Sequence, residues 1–462
     1  MSRLPLALVL AAALWTTSAA PAAVGVYDSN PQHLWNRLHE TLFVRTGPYG
    51  REYGRDRIEP LLWRGSKHLL EDPSHGQLLA VLAEFNRDGD RLIADPLRRA
   101  LLQRDLWMVF TWLEHSHDDF YGFGGNKADW RARQDALRQP LATAIARLAL
   151  TPRQIQELPD TYAAAVASRA FASRFDPQHL DANYLPADLF VRDSPWVSLG
   201  RGHDLIAPNH VTGDNPFTTS AFLIFINLPG GRAATRRYLA KLASFKGPRF
   251  VATRSSKAEY PNFNPAIPQI PAGTQVALVR RALLVSSTGE VLPSPLTESV
   301  QVRFYREVPT VALDDMVRAP LIDDRVRAQQ ARYEYFLSRR RLFAGQAGGL
   351  YSSAEADDDI LTGFATHGVD PFEPRDGQPP SIRSHVPRRF PVTEICISCH
   401  VLQGVYSVNS LMPNFGNAMT PQHPAVVETP VSDVLAAGAS WKRGRDDWAL
   451  LKALMRNGDR PR

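Results

Sequence analysis

The chain has 462 residues, a formal net charge of +6, 44% hydrophobic residues and 9% aromatic residues. At about 100–200 residues per domain this length implies two to three domains, with apolar content ample for sizeable cores. Basic residues are scattered rather than gathered on one element with interleaved aromatics, which argues against a nucleic-acid partner, and only two cysteines exclude a disulfide framework.

Arg3 supplies a positive charge, Leu4 to Trp15 is an apolar run, and Ala20-Pro21-Ala22 fits a small-x-small cleavage pattern, with Ser18-Ala19-Ala20 as a second choice. Together these predict a secretory signal peptide over 1–22 and a mature protein that is periplasmic or secreted. The apolar run is shorter than the roughly 20 residues a spanning helix requires, and no later stretch exceeds it, so a membrane-spanning protein is not expected.

Residues 29–175 read as an all-helical domain. His33 to Arg45, Ile58 to Leu70 and Gln77 to Phe85 carry apolar residues at three- and four-residue spacing. In Pro96 to Leu113 a stripe of Leu97, Leu101, Leu102, Leu106, Val109, Phe110 and Leu113 predicts an amphipathic helix, and Trp130 to Leu150 continues the pattern. Thr151-Pro152-Arg153-Gln154 is a helix start: a capping Thr, Pro at the first helical position and Gln to complete a capping box.

Residues 185–350 read as an α+β domain with a mainly antiparallel sheet. Phe222 to Leu228 suits a buried strand, and Ala233 to Phe245 a basic helix. Gln275 to Ser286 and Glu298 to Glu307 alternate like strands around a turn at Thr288-Gly289, and Val326 to Phe343 is expected to be a helix closed by Gly348-Gly349. Residues 351–394 form an acidic and Pro-rich linker by composition, and 395–462 form a small C-terminal segment ending in a helix over Asp447 to Arg456. The fold class expected is therefore α+β and multidomain.

Both cysteines fall in one pentapeptide, Cys396-Ile397-Ser398-Cys399-His400, the string that signals covalent haem attachment. Two thiols at this spacing reach two vinyl groups on one porphyrin edge while the adjacent imidazole meets the iron. In these residues the chain resembles the c-type cytochromes. That resemblance implies one covalent haem c, thioether bonds from Cys396 and Cys399, His400 as the proximal iron ligand, and single-electron transfer with a redox partner protein. The Pro387, Pro391 and Arg388-Arg389-Phe390 stretch opposes the helix that compact cytochromes place before the motif, so the resemblance is confined to the pentapeptide. A short structural disulfide, a thioredoxin-like redox pair, or a zinc site formed with a fourth ligand such as His423 are the other readings of these residues.

The sixth iron ligand sets the potential and the reactivity. Met412, Met419 and His423 are the candidates in the tail; Met412-Pro413 resembles the Met-Pro pairing near the distal ligand of several cytochromes. Met455, His385 and His210 are alternatives, as is an open site, which would make the protein a haem enzyme or sensor. Glu84 to Asp95 has calcium-loop offsets but reads as a polar helix–helix turn, and His115 and His117 read as a solvated helix end. No Gly-rich phosphate loop, Ser nucleophile elbow or HExxH motif occurs.

Overall fold

A computed structural model describes residues 25–46, 50, 52–57, 68–115, 127–211, 217–247, 250–251, 262–264, 266–308, 329–354, 359–362, 388–391, 404–411 and 425–458. It is an α+β structure in which helices cover a seven-stranded sheet. The helices of the N-terminal part are α1 (Leu34–Phe43), α2 (Ser74–Asp88), α3 (Pro96–His115), α4 (Lys127–Leu148), α5 (Pro152–Gln156) and α6 (Thr161–Ala167). The capping box at Thr151 forms as expected: its hydroxyl accepts from the Gln154 amide, and the Gln154 side chain accepts from the Thr151 amide.

The sheet runs through β1 (Val197–Gly200), β2 (Ser220–Asn227), β3 (Gln275–Val285), β4 (Val291–Tyr305), β5 (Gln330–Leu337) and β6 (Leu350–Ser352), each antiparallel to the one before it. Helix α7 (Gly231–Ser244) follows β2, and α8 (Arg339–Phe343) follows β5. The last strand, β7 (Val427–Glu428), returns to the first edge and pairs with β1. Helices α9 (Val431–Arg443) and α10 (Asp446–Gly458) then pack on the sheet and on α4. Among the described residues no helix is long and apolar enough to cross a membrane.

One expected element is corrected. Val326 to Phe343 is not a helix: within it lie β5 and the short α8. Ala331, Tyr333 and Tyr335 alternate with Gln330, Arg332 and Glu334, and β4 offers a partner in register, Tyr335 against Val300 and Tyr333 against Val302. Aromatic residues suit such cross-strand pairing, which overrides the helical spacing. Ser338 ends the strand and caps α8, its hydroxyl accepting from the Arg341 amide. β6 begins at Leu350 and runs two residues into the stretch expected as linker.

Helix α3 departs from the expected stripe in a second way. It is buried on every side from Ala100 to Leu113, so its polar residues are interior too. Arg104 pairs with Glu298 of β4 and, at 3.1 Å, with Asp105; Asp105 in turn holds Arg339 of α8 at 2.6 Å. Arg280 of β3 reaches the same Glu298 at 3.3 Å. This charged seam joins helices to sheet. Around it, Leu283, Val285 and Val291 from the β3–β4 hairpin share an apolar core with α1 to α4 and α10. The C-terminal helices are fixed by a buried pair, Lys442 with Asp447, which Thr111 of α3 also bonds.

Two histidines, His39 buried and His210 half-buried, are expected to make the fold acid-sensitive. Burial, then the charge of Arg339, pushes His39 down to about 3 against the opposing pull of Asp105. Burial, then Arg303 and Arg280, pushes His210 down to about 4. Both are neutral when folded and titrate near 6.5 when unfolded. Their contribution is complete above about pH 6.5 and is lost as pH falls towards the folded values. Urea-unfolding free energy should therefore fall below pH 6.5 by about 1.4 kcal/mol per pH unit for each histidine. His39→Gln should flatten the part of that slope below pH 4; a wild-type stability unchanged between pH 6.5 and 4 would contradict the assignment.

Candidate functional site

Cys396, Cys399 and His400 lie outside the described residues, as do Met412, Met419, His423, His385 and His117. What the structure gives is the chain on either side of them. Four residues beyond His400, two 3-10 turns at Gly404–Ser407 and Asn409–Leu411 form a strap against the sheet. Val405, Val408 and Leu411 are buried in the main core. Gly404 has φ of +55°, and a Cβ there would meet the Gln269 side chain at 2.2 Å, so both conformation and space require glycine.

The strap's polar groups are held from below. Tyr305 of β4 bonds the Ser407 hydroxyl at 2.6 Å, and Arg303 Nη1 donates to the Ser407 carbonyl at 3.1 Å. Gln269 Oε1 accepts from the Val405 amide, and the Tyr406 hydroxyl donates to the Asn264 carbonyl at 2.9 Å. Arg201 Nη2 donates to the Ser410 carbonyl at 2.6 Å. Alternation along β4 explains the arrangement, because Ser299, Gln301, Arg303 and Tyr305 share one face.

The segment bearing Met412, Met419 and His423 leaves and returns at one place. Ser410 is held by Arg201, and Val427 pairs with Gly200, the preceding residue. Return is secured by Glu428, which bonds Arg232 at 2.6 Å and Arg236 of α7. Hydrogen bonds to these arginines, with burial opposing, hold Glu428 below the usual carboxylate range.

The two other candidate ligands are described. His210 sits in a 3-10 turn, Pro208–His210, with its ring 5.0 Å from Phe222 of β2. Met455 lies on α10 and packs, partly buried, against the helical core. The calcium-like stretch is the last turn of α2, a 3-10 turn at Gly89–Arg91 and the lead into α3: Glu84 pairs with Arg37 at 2.9 Å, Asn86 donates to the Pro140 carbonyl, and Asp95 accepts from the Leu97 amide. Among the described residues, no group of three or more His, Cys, Asp or Glu side chains is gathered as a metal requires.

Sequence patterning singled out the pentapeptide but missed the residues that hold the strap after it: Arg201, Gln269, Arg303 and Tyr305. The signal that could have found part of them is Arg303 between Val302 and Phe304, a charge in an alternating strand. Such charge persists in a core only with partners.

The donor set fits a c-type haem. Two thiols with two residues between them and an adjacent imidazole are the donors such a group would take, two for thioethers and one for the iron. No family model, curated protein or solved structure matches the chain.

Proposed function

We propose that this is an exported monohaem protein of c-type cytochrome character that transfers single electrons. The observation that carries the reading is Cys396-Ile-Ser-Cys399-His400, the two cysteines of the chain in one haem-attachment string behind an N-terminal export signal. Cys396 and Cys399 bind the porphyrin through thioethers and His400 binds the iron. The haem, when bound, supplies one-electron redox chemistry. The protein's own part is to anchor the chain on either side of the candidate ligands, through Ser410 on Arg201 and Val427 on β1.

The test is the protein recovered from the periplasm of a host with haem-maturation machinery. Its N-terminus should lie near Ala23 or Pro21, and it should show a Soret band with six-coordinate, low-spin ferric and ferrous spectra. A high-spin spectrum would replace electron transfer by a haem enzyme or sensor with an open iron site. A protein with bound zinc and no Soret band would make it a secreted zinc-binding protein.

A further inference from the structure

Basic residues occur along the whole chain, but acidic ones leave a gap. Residues 215–258 hold eight Arg and Lys and no Asp or Glu, so with a net charge of +6 the rest of the chain sums to −2. At the centre of this stretch lies α7. Its buried face is Thr235, Tyr238 and Leu239, which leaves Arg236, Arg237, Ala240, Lys241 and Ser244 exposed. Lys246, just beyond the helix, is exposed too. Like charges four residues apart on a helix repel, and α7 has two such pairs. The first, Arg232 and Arg236, is bridged from within the chain by Glu428. The second, Arg237 and Lys241, makes no ion pair among the described residues, and neither does Lys246. Arg232 also ties the 188–194 turn to the helix start, through the Ser194 and Trp196 carbonyls at 3.1 and 2.8 Å. That turn carries Val191, at 57% the most exposed large apolar side chain among the described residues, and the exposed Arg192 and Asp193, whose charges offset each other.

We propose that the exposed face of α7 docks the protein on the surface of a bilayer containing anionic phospholipid. The lipid phosphates supply to Arg237 and Lys241 what Glu428 supplies to Arg232 and Arg236, and Lys246 extends the charged row past the helix end. Charge complementarity selects an anionic occupant, and the side chains between the cations select its kind. A protein partner gains most of its affinity from a few large anchors seated in pockets, whereas the residues between these cations are Ala233, Ala240 and Ser244. A layer of headgroups needs no such anchor, because a polybasic segment binds it by summed charge. Val191, beside the helix start, adds an exposed aliphatic side chain. Docking of this kind requires no spanning helix and is independent of the haem.

The test is sedimentation of the full-length protein with vesicles of equimolar phosphatidylglycerol and phosphatidylcholine, against vesicles of phosphatidylcholine alone. The apolar N-terminal run would act on both alike, so the difference between them, and its loss in high salt, reads the charged face. Each cation near an anionic surface strengthens binding about fivefold. Arg237→Glu with Lys241→Glu reverses two charges, and partitioning onto the anionic vesicles should fall by at least about a hundredfold. Arg131→Glu with Arg456→Glu makes the same change of net charge at exposed positions of α4 and α10 and should stay within about threefold of wild type. If the Glu pair fails to fold, Arg237→Gln with Lys241→Gln is read by the same comparison and should lose about tenfold or more. Wild-type protein that sediments equally with both kinds of vesicle, or an equal loss in the control pair, would overturn the proposal. So would retention on immobilised polyglutamate without sedimentation on anionic vesicles, which would make the face a docking site for an acidic protein.

Discussion

Replacing Cys396 and Cys399 together by Ala is expected to abolish haem stain on denaturing gels, an all-or-none loss. Thioether bonds survive detergent and heat, whereas a haem held by axial ligands alone is released when the chain unfolds. Each single replacement should leave one thioether and a weaker stain. His400→Ala removes the proximal imidazole, so any haem retained should lose its low-spin spectrum. Stain persisting in the double variant would sink the covalent reading. The competing chemistries give different results in the same proteins. A disulfide between these cysteines would close so short a loop that its loss changes stability little. A zinc site would show stoichiometric zinc in the wild type and lose it in the double variant, without a Soret band at any stage.

Much of the fold was legible because local rules and tertiary packing agreed. Thr151 has a hydroxyl, a following Pro and a Gln at the right offset, so α5 begins where a peptide of that sequence would begin a helix. Phe222 to Ile226 is apolar without interruption because β2 has strands on both sides and packing on both faces. Where the rules conflicted, long-range pairing won. Tyr333, Tyr335 and Leu337 have spacings compatible with either a helix or a strand, and the choice was made by β4, about thirty residues away. The buried polar face of α3 was hidden for a related reason. Arg104 and Asp105 look like the solvated side of an amphipathic helix until Glu298 and Arg339, far along the chain, are placed against them. The site divides the same way. The proposed covalent chemistry is contiguous and reads directly from five residues, whereas the support beneath the strap draws on Arg201, Gln269, Arg303 and Tyr305, which share no local pattern.

The charged seam carries the largest effect expected on stability. Asp105 is fully buried and accepts from Arg339 at 2.6 Å, from Arg104 at 3.1 Å and from the Tyr27 hydroxyl at 3.4 Å. Burial pushes this carboxyl up, but Arg339 and Arg104 outweigh it and hold it below its ordinary value. Its contribution is thus present above the unfolded carboxylate range and is lost only as pH falls through the lower folded value, well below the histidine window. Asp105→Ala at neutral pH deletes the acceptor and leaves two interior guanidiniums facing a void. Breaking a buried pair in this manner costs about 3–5 kcal/mol, a large share of the roughly 5–15 kcal/mol by which domains are stable. The urea midpoint should fall accordingly, and soluble yield with it. Asp105→Asn keeps an oxygen for Arg339 and should cost less. Glu157→Ala, which removes the exposed Arg153–Glu157 pair, should stay within about 1 kcal/mol of wild type. The decisive variant is Asp105→Leu combined with Arg339→Met. If the penalty comes from an uncompensated charge, removing both partners should recover part of the loss seen in Asp105→Ala. An Asp105→Ala protein within about 1 kcal/mol of wild type would show that water or the remaining acceptors of Arg104 and Arg339 already satisfy the seam.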